Sequence, residues 1–275
     1  MTEIGSRQSG IAEVNGARLF YEVAGEGPAV VLIHAGIADS RMWDEQFEAF
    51  AGHFRVIRYD ARGYGRSDMP AGPFAHRDDL HGLLHYLGVE RAALVGLSMG
   101  GSTTIDFTLD HPELAWALVP VATGLSGYQF SESMLRADEE EEAAFERGDM
   151  EAVYEINLRT WVDGPTRPPD AVDPAIREKV RQMQRDASTS TEGEPRRLDP
   201  PAIGRLAEIT APTLVIAGDA DMPDMPAIAD LLASGIAGTQ KVMIPGVAHM
   251  VNMERPAEFN RLVLDFLRAR GQTSR

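Results

Sequence analysis

The heptapeptide VGLSMGG, residues 95–101, decides how the rest of the chain is read. It places Gly96 and Gly100 two residues either side of Ser98, directly after the apolar run AALVGL at 92–97, which has the character of a buried strand. From Ser98 to Asp110 the pattern is helical. A serine on so sharp a strand-to-helix turn is forced into a strained conformation, and its flanking residues must be small because the backbones approach closely. The turn pushes the hydroxyl clear of the sheet, at a helix N-terminus whose free N–H groups favour developing negative charge. The competing reading is a plain helix-capping serine between flexible glycines.

On either side of this turn the chain alternates two patterns. Residues 17–23, 29–33, 54–59, 92–97, 115–121, 212–217 and 240–245 read as strands. Residues 41–51, 77–87, 98–110, 226–234 and 256–269 read as helices. Such alternation predicts a mostly parallel sheet covered on both faces. The rhythm breaks near Gly124: from Ser126 to Leu206 charges, prolines and helical stretches dominate, with no good strand. The expected organisation is a core formed by residues 1–125 and 207–275, with a helical cap at 126–206.

A serine hydroxyl needs a base to take its proton. Of the seven histidines, His249 sits in PGVAHMVNMERP, on a loop at the carboxyl end of strand 240–245. In a parallel sheet such loops leave the same edge as the Ser98 turn. His81 and His85 are four apart on one helix without an accompanying carboxylate pattern, which suits a surface or packing role. His53, His76 and His111 are taken as structural, and His34 as tying down its own loop. The base needs an acid behind it, and AGDADMPD after strand 212–217 offers Asp219, Asp221 and Asp224. Asp221 is the choice, far enough past Gly218 for the chain to turn toward the histidine loop. Asp219 stays open as the alternative, and Asp224 is expected to cap the following helix. The N–H groups of Met99 and of Ile37, in HAGIADS after strand 29–33, are expected to form the oxyanion hole.

Composition narrows the classes. The chain has 275 residues, 44% hydrophobic and 25% charged, and a net charge of −16. So acidic a surface disfavours nucleic acid and anionic membranes as partners. The block Asp138 to Glu142 with Glu146 is expected to be a solvated helix face. No apolar run approaches the ~20 residues of a membrane span, and MTEIGSRQSG has no secretory character, so a cytoplasmic location is expected. Without cysteine there is no disulfide, thiolate nucleophile or Cys-ligated zinc. No metal or organic cofactor is expected. The partner is a small-molecule substrate, and the chain is expected to be a monomer or homodimer.

The segments LIHAGIADSRMWDEQ, RYDARGYGRSD, VGLSMGG, LVIAGDAD and IPGVAHMVNMERP together resemble the α/β-hydrolase superfamily, and within it the group of 3-oxoadipate enol-lactonases and small carboxylesterases. The likeness covers residues ~12–125 and ~206–270. It implies an α/β fold with an eight-stranded, mostly parallel sheet and a helical cap inserted after the sixth strand. It also implies Ser98 as nucleophile, Asp221 as acid, His249 as base, and Ile37 and Met99 as oxyanion donors. Asp60, Arg62, Gly63 and Ser67 match a motif that shapes the loop beside the site. Leu97 stands where many C–C hydrolases of the superfamily have Asn, which favours ester or lactone substrates; a haloalkane dehalogenase would have Asp in place of Ser98. The alternatives are C–C hydrolysis or cofactor-free haloperoxidase-type perhydrolysis on the same triad, and a non-catalytic ligand receptor. Trp161, Met134, Tyr128 and Leu158 are candidates for lining the pocket.

Overall fold

Eight strands form one sheet in the computed structural model, which describes residues 7–69, 71–187 and 193–271. Residues 1–6, on which part of the reading of the leader rests, lie outside the described residues. The strands are β1 (Gln8–Val14), β2 (Ala17–Ala24), β3 (Ala29–Ile33), β4 (Arg55–Tyr59), β5 (Ala92–Leu97), β6 (Ala115–Val121), β7 (Leu214–Gly218) and β8 (Gln240–Ile244). Their spatial order is β1-β2-β4-β3-β5-β6-β7-β8. The β1–β2 and β2–β4 pairs are antiparallel; the remaining neighbours run parallel.

The apolar runs are the reason for this placement. In β3, Val30 and Leu32 face one side while Val31 and Ile33 face the other, all fully buried. A strand covered on both faces has no polar side to show, so its sequence is continuously apolar. One face packs on α1 (Asp44–Ala51) and α8 (Pro256–Gly271), through Phe47, Phe50, Phe259 and Val263. The other packs on α2 (His76–Tyr86), α3 (Met99–Asp110) and α7 (Asp224–Gly235), through Leu80, Leu83, Phe107 and Ile228.

Between β6 and β7 lie α4 (Glu132–Glu146), α5 (Met150–Asn157), a π-helical turn at Leu158–Asp163, and α6 (Pro174–Asp186). The expectation of no strand here needs one correction: Gly193–Pro195 pairs in parallel with Gly72–Phe74. Three residues containing proline carry no periodic signal, so only the contact reveals them. The segment is tied to the sheet elsewhere too. Lys179 on α6 reaches Asp44 at 2.8 Å, and Asp186 reaches Arg41 at 2.8 Å. Residues 188–192 of this segment are not among those described. Among the described residues, no helix is long and apolar enough to cross a membrane.

Candidate active site

Ser98 occupies the turn between β5 and α3 with φ 58° and ψ −114°. A non-glycine residue held there costs on the order of 1–3 kcal/mol, so the surroundings must enforce it. They do so through missing side chains. A Cβ on Gly96 would stand 2.2 Å from the Gly100 carbonyl oxygen, and one on Gly100 would stand 2.2 Å from that of Ile33. The first turn of α3 is therefore pressed against the end of β3. Ser98 holds the N-cap position of α3, yet its side chain makes no capping hydrogen bond. The plain capping reading is thereby set aside, and the hydroxyl remains available to the cavity beside it.

His249 follows β8 on a buried loop, 1% exposed. Its Nδ1 lies 2.8 Å from Oδ2 of Asp221, which is 5% exposed, and Asp221 Oδ1 accepts the Met222 N–H at 2.7 Å. A carboxylate held this way fixes the ring, with the proton on Nδ1 and Nε2 free to accept. The approach of the two loops depends on Gly218 at the end of β7, where a Cβ would meet the Val247 carbonyl oxygen at 2.1 Å. Asp219 is exposed and accepts the Gly246 N–H at 2.6 Å, a turn-closing bond away from the imidazole. Asp224 departs from its expected capping role. Pro223 holds the N-cap of α7, and the Asp224 carboxylate instead accepts the backbone N–H and the hydroxyl of Ser131, at 2.7 and 2.6 Å. Those bonds fasten the start of α4 to the core.

The loop after β3 is organised by His34, as expected. Its buried ring donates from Nδ1 to the Ala35 carbonyl at 2.8 Å and accepts the Ala61 N–H at Nε2, 2.9 Å. Both bonds require the neutral ring, and burial pushes the His34 pKa down in agreement. Within this loop Ala38 donates its N–H to the Ala35 carbonyl, whereas the N–H groups of Gly36 and Ile37 have no acceptor among the described residues. Asp60 completes the support, accepting the backbone N–H groups of Ser40 and Arg66, each at 2.9 Å. Ser67 links the Asp60 carbonyl to Phe20, and Arg62 pairs with Asp79 at 2.7 Å.

One cavity of about 360 Å³ collects Ser98, Met99, Ile37 and His249 on its floor. Trp161 lines it as expected, its ring 4.5 Å from that of His249. Met134 and Leu158 are instead core residues, and Tyr128 lines a different cleft. Several contributors carried no readable signal. Glu141, from the acidic block read as a solvated face, enters the wall beside Asn157, Gln184 and Tyr64. Arg167, in a proline-rich turn, grips Glu254 at 2.7 Å and accepts nothing; it donates also to the carbonyls of Val162, Asp163 and Gly246. Glu254 in turn accepts the Ala248 N–H at 3.1 Å, so this ion pair braces the histidine loop. His81 stacks on His111 with ring centres 4.3 Å apart, a packing role.

A sequence model described as the α/β-hydrolase fold matches residues 28–256. A 2-hydroxy-6-oxo-6-phenylhexa-2,4-dienoate hydrolase of Comamonas testosteroni is 28% identical, over 92% of this chain and 92% of its own. The crystal structure of the enol-lactonase from Burkholderia xenovorans LB400 superposes with a TM-score of 0.76 at 29% identity, covering 94% of this chain and 99% of that one. An uncharacterized Mycobacterium tuberculosis protein is 37% identical over 115 residues, which is 40% of this chain and 33% of its own length.

Proposed function

Because the chain belongs to the α/β-hydrolase family, we propose that it is a serine hydrolase cleaving small carboxylic esters or lactones through an acyl-enzyme. In this reading His249 takes the Ser98 proton as the hydroxyl oxygen attacks the carbonyl carbon. The tetrahedral oxyanion is held by the N–H groups of Ile37 and Met99. His249 then protonates the leaving alkoxide as the ester C–O bond breaks, and Asp221 steadies the imidazolium in between. Water, deprotonated by His249, attacks the acyl-enzyme, and the returning proton releases Ser98 and the carboxylic acid. Residues 126–206 form the cap over a core made of residues 1–125 and 207–275.

The observation that carries this reading is the meeting of Ser98 and His249 at one cavity, with the Asp221 carboxylate 2.8 Å behind the ring. The strained φ of Ser98, kept without any capping bond, argues in the same direction. The test is active-site titration with a fluorophosphonate together with turnover of p-nitrophenyl acetate. Labelling at Ser98 and release of p-nitrophenol are expected. A protein that binds the probe at no serine and hydrolyses no ester would be a receptor of this fold, and the proposal would fall. A C–C hydrolase would instead cleave a vinylogous β-diketone faster than any ester in the same panel.

A further inference from the structure

Resting on that hydrolase reading, we propose that Glu141 and Gln184 make the enzyme selective for esters whose remote arm ends in an uncharged group able both to donate and to accept hydrogen bonds, such as a primary amide. The corresponding carboxylate-bearing esters are disfavoured.

The part of the cavity wall drawn from α4, α5 and α6 is polar in a particular way. Glu141 comes from α4, and its Oε1 accepts the side-chain amide of Asn157 on α5 at 2.9 Å. Its Oε2 has no partner among the described residues. Gln184, on α6, is 8% exposed, lines the same cavity, and has a buried Nε2 without a partner. A buried amide N–H left unmade is costly, so it is most favourably completed by an acceptor brought in from outside. The wall thus carries an unpartnered acceptor on α4 and, on α6, an amide whose unsatisfied N–H meets an acceptor once it turns toward the cavity; both helices pack on α5.

Charge sharpens the choice. No arginine or lysine lines the cavity, and Glu141 is the one carboxylate there among the described residues. Burial pushes the Glu141 pKa up, with the Asn157 hydrogen bond pulling it back. Tyr64, on the core side of the cavity, has its pKa pushed up to about 12 by burial and by the Glu141 charge. Glu141 and Tyr64 line the same cavity, so the Glu141 carboxyl shares the space a substrate arm would fill. A carboxylate brought into a poorly solvated site against it would be repelled, with no cation to offset the lost hydration.

The experiment compares kcat/KM for p-nitrophenyl 4-carbamoylbutanoate and p-nitrophenyl hydrogen glutarate, which match in shape and differ in charge. Wild-type protein is expected to prefer the amide by about tenfold or more, a preference that persists at roughly 0.5 M salt, where the repulsion of the acidic outer surface is screened. In Glu141→Gln, which keeps an acceptor for Asn157, the preference is expected to shrink about tenfold, mainly through better use of the glutarate. Equal use of the two esters by wild type overturns the proposal, and so does a preference that vanishes in salt or is unchanged in Glu141→Gln. p-Nitrophenyl acetate, which lacks the arm, separates the two levels. If wild type hydrolyses acetate but shows no amide preference, only the selectivity falls. If it hydrolyses none of the three esters, the hydrolase reading falls and the selectivity with it.

Discussion

Asp221 grips His249 with one carboxylate oxygen and its own following N–H with the other, at 2.8 and 2.7 Å. The acid is thus locked in rotation and can present only one edge to the ring. Asp221→Asn would place an amide where the Nδ1 proton must be received, favouring the wrong tautomer. A fall in kcat on the order of 10³–10⁴ is expected with p-nitrophenyl acetate. Asp219→Asn, at the exposed turn beside Gly246, is expected to stay within about twofold of wild type, since surface changes of this kind rarely matter beyond a few tenths of a kcal/mol. Swapped results would identify Asp219 as the working acid.

Ser98→Ala and His249→Ala remove the proposed nucleophile and the proposed base. Each is expected to lower kcat on the order of 10⁴–10⁶, with thermal unfolding little changed for Ser98→Ala. Fluorophosphonate labelling should vanish in Ser98→Ala and become very slow in His249→Ala. Persistent labelling of Ser98→Ala would point to another serine.

Close backbone approach at the Ser98 turn makes Gly96 and Gly100 intolerant of a methyl group. Gly96→Ala would drive a Cβ to 2.2 Å from a carbonyl oxygen inside the fold. A loss of at least about 3 kcal/mol, of the order of severe overpacking, is expected in urea unfolding. Wild-type stability in Gly96→Ala would show that α3 does not press on the sheet as described.

Asp106, on α3, carries a carboxyl whose pKa is pushed up to about 6, chiefly by burial, with Arg77 and the Ser126 hydroxyl opposing the shift and Asp110 adding to it. A raised acid binds its proton more tightly in the folded state, so stability is greatest below the unfolded value. It declines as pH rises through about 4 to 6. Asp106→Asn should therefore gain stability above pH 6 and little at pH 3.5. At roughly 1.4 kcal/mol per pH unit the gain is at most about 3 kcal/mol. Melting temperatures of both proteins across this range test it; a gain equal at all pH values would contradict the assignment.

Replacing Arg167 by Met would strand Glu254 in a buried position, where its side chain is 8% exposed. The expected cost is about 3–5 kcal/mol. Because Glu254 also accepts the Ala248 N–H, kcat should fall further than KM changes. The double change Arg167→Met with Glu254→Gln should recover much of the stability, as measured by denaturant midpoint.

Legibility in the sequence followed burial. Strands such as β3 and β5 are enclosed on both faces, and their unbroken apolar runs announced them. The first strand went unread because it is an edge strand whose seven residues bury only Ala12 and Val14 as core. The convergence of Ser98, His249 and Asp221 was readable because parallel topology sends their loops to one edge. Glu141 was not, since within a run of acids only the winding of α4 decides which one turns inward. Arg167 and Glu254 are 87 residues apart, and no local pattern joins them. Asp224 was misjudged because a carboxylate beside a helix start looks like a cap, whereas its partner lies 93 residues earlier.

The segment between β6 and β7 is moored at several places: Ser131 to Asp224, Gly193–Pro195 to Gly72–Phe74, and α6 to Asp44 and Arg41. By contrast, the backbone ties of Gly148 and Asp149, at the bend joining α4 to α5, go to Phe145, Ala144 and Val153, all within those two helices. Phe145 and Met150 stand at this bend and line the cavity. A span pinned at both abutments cannot swing aside like a door. Phe145 and Met150, at the elbow between those moorings, therefore stay against the cavity as part of its wall.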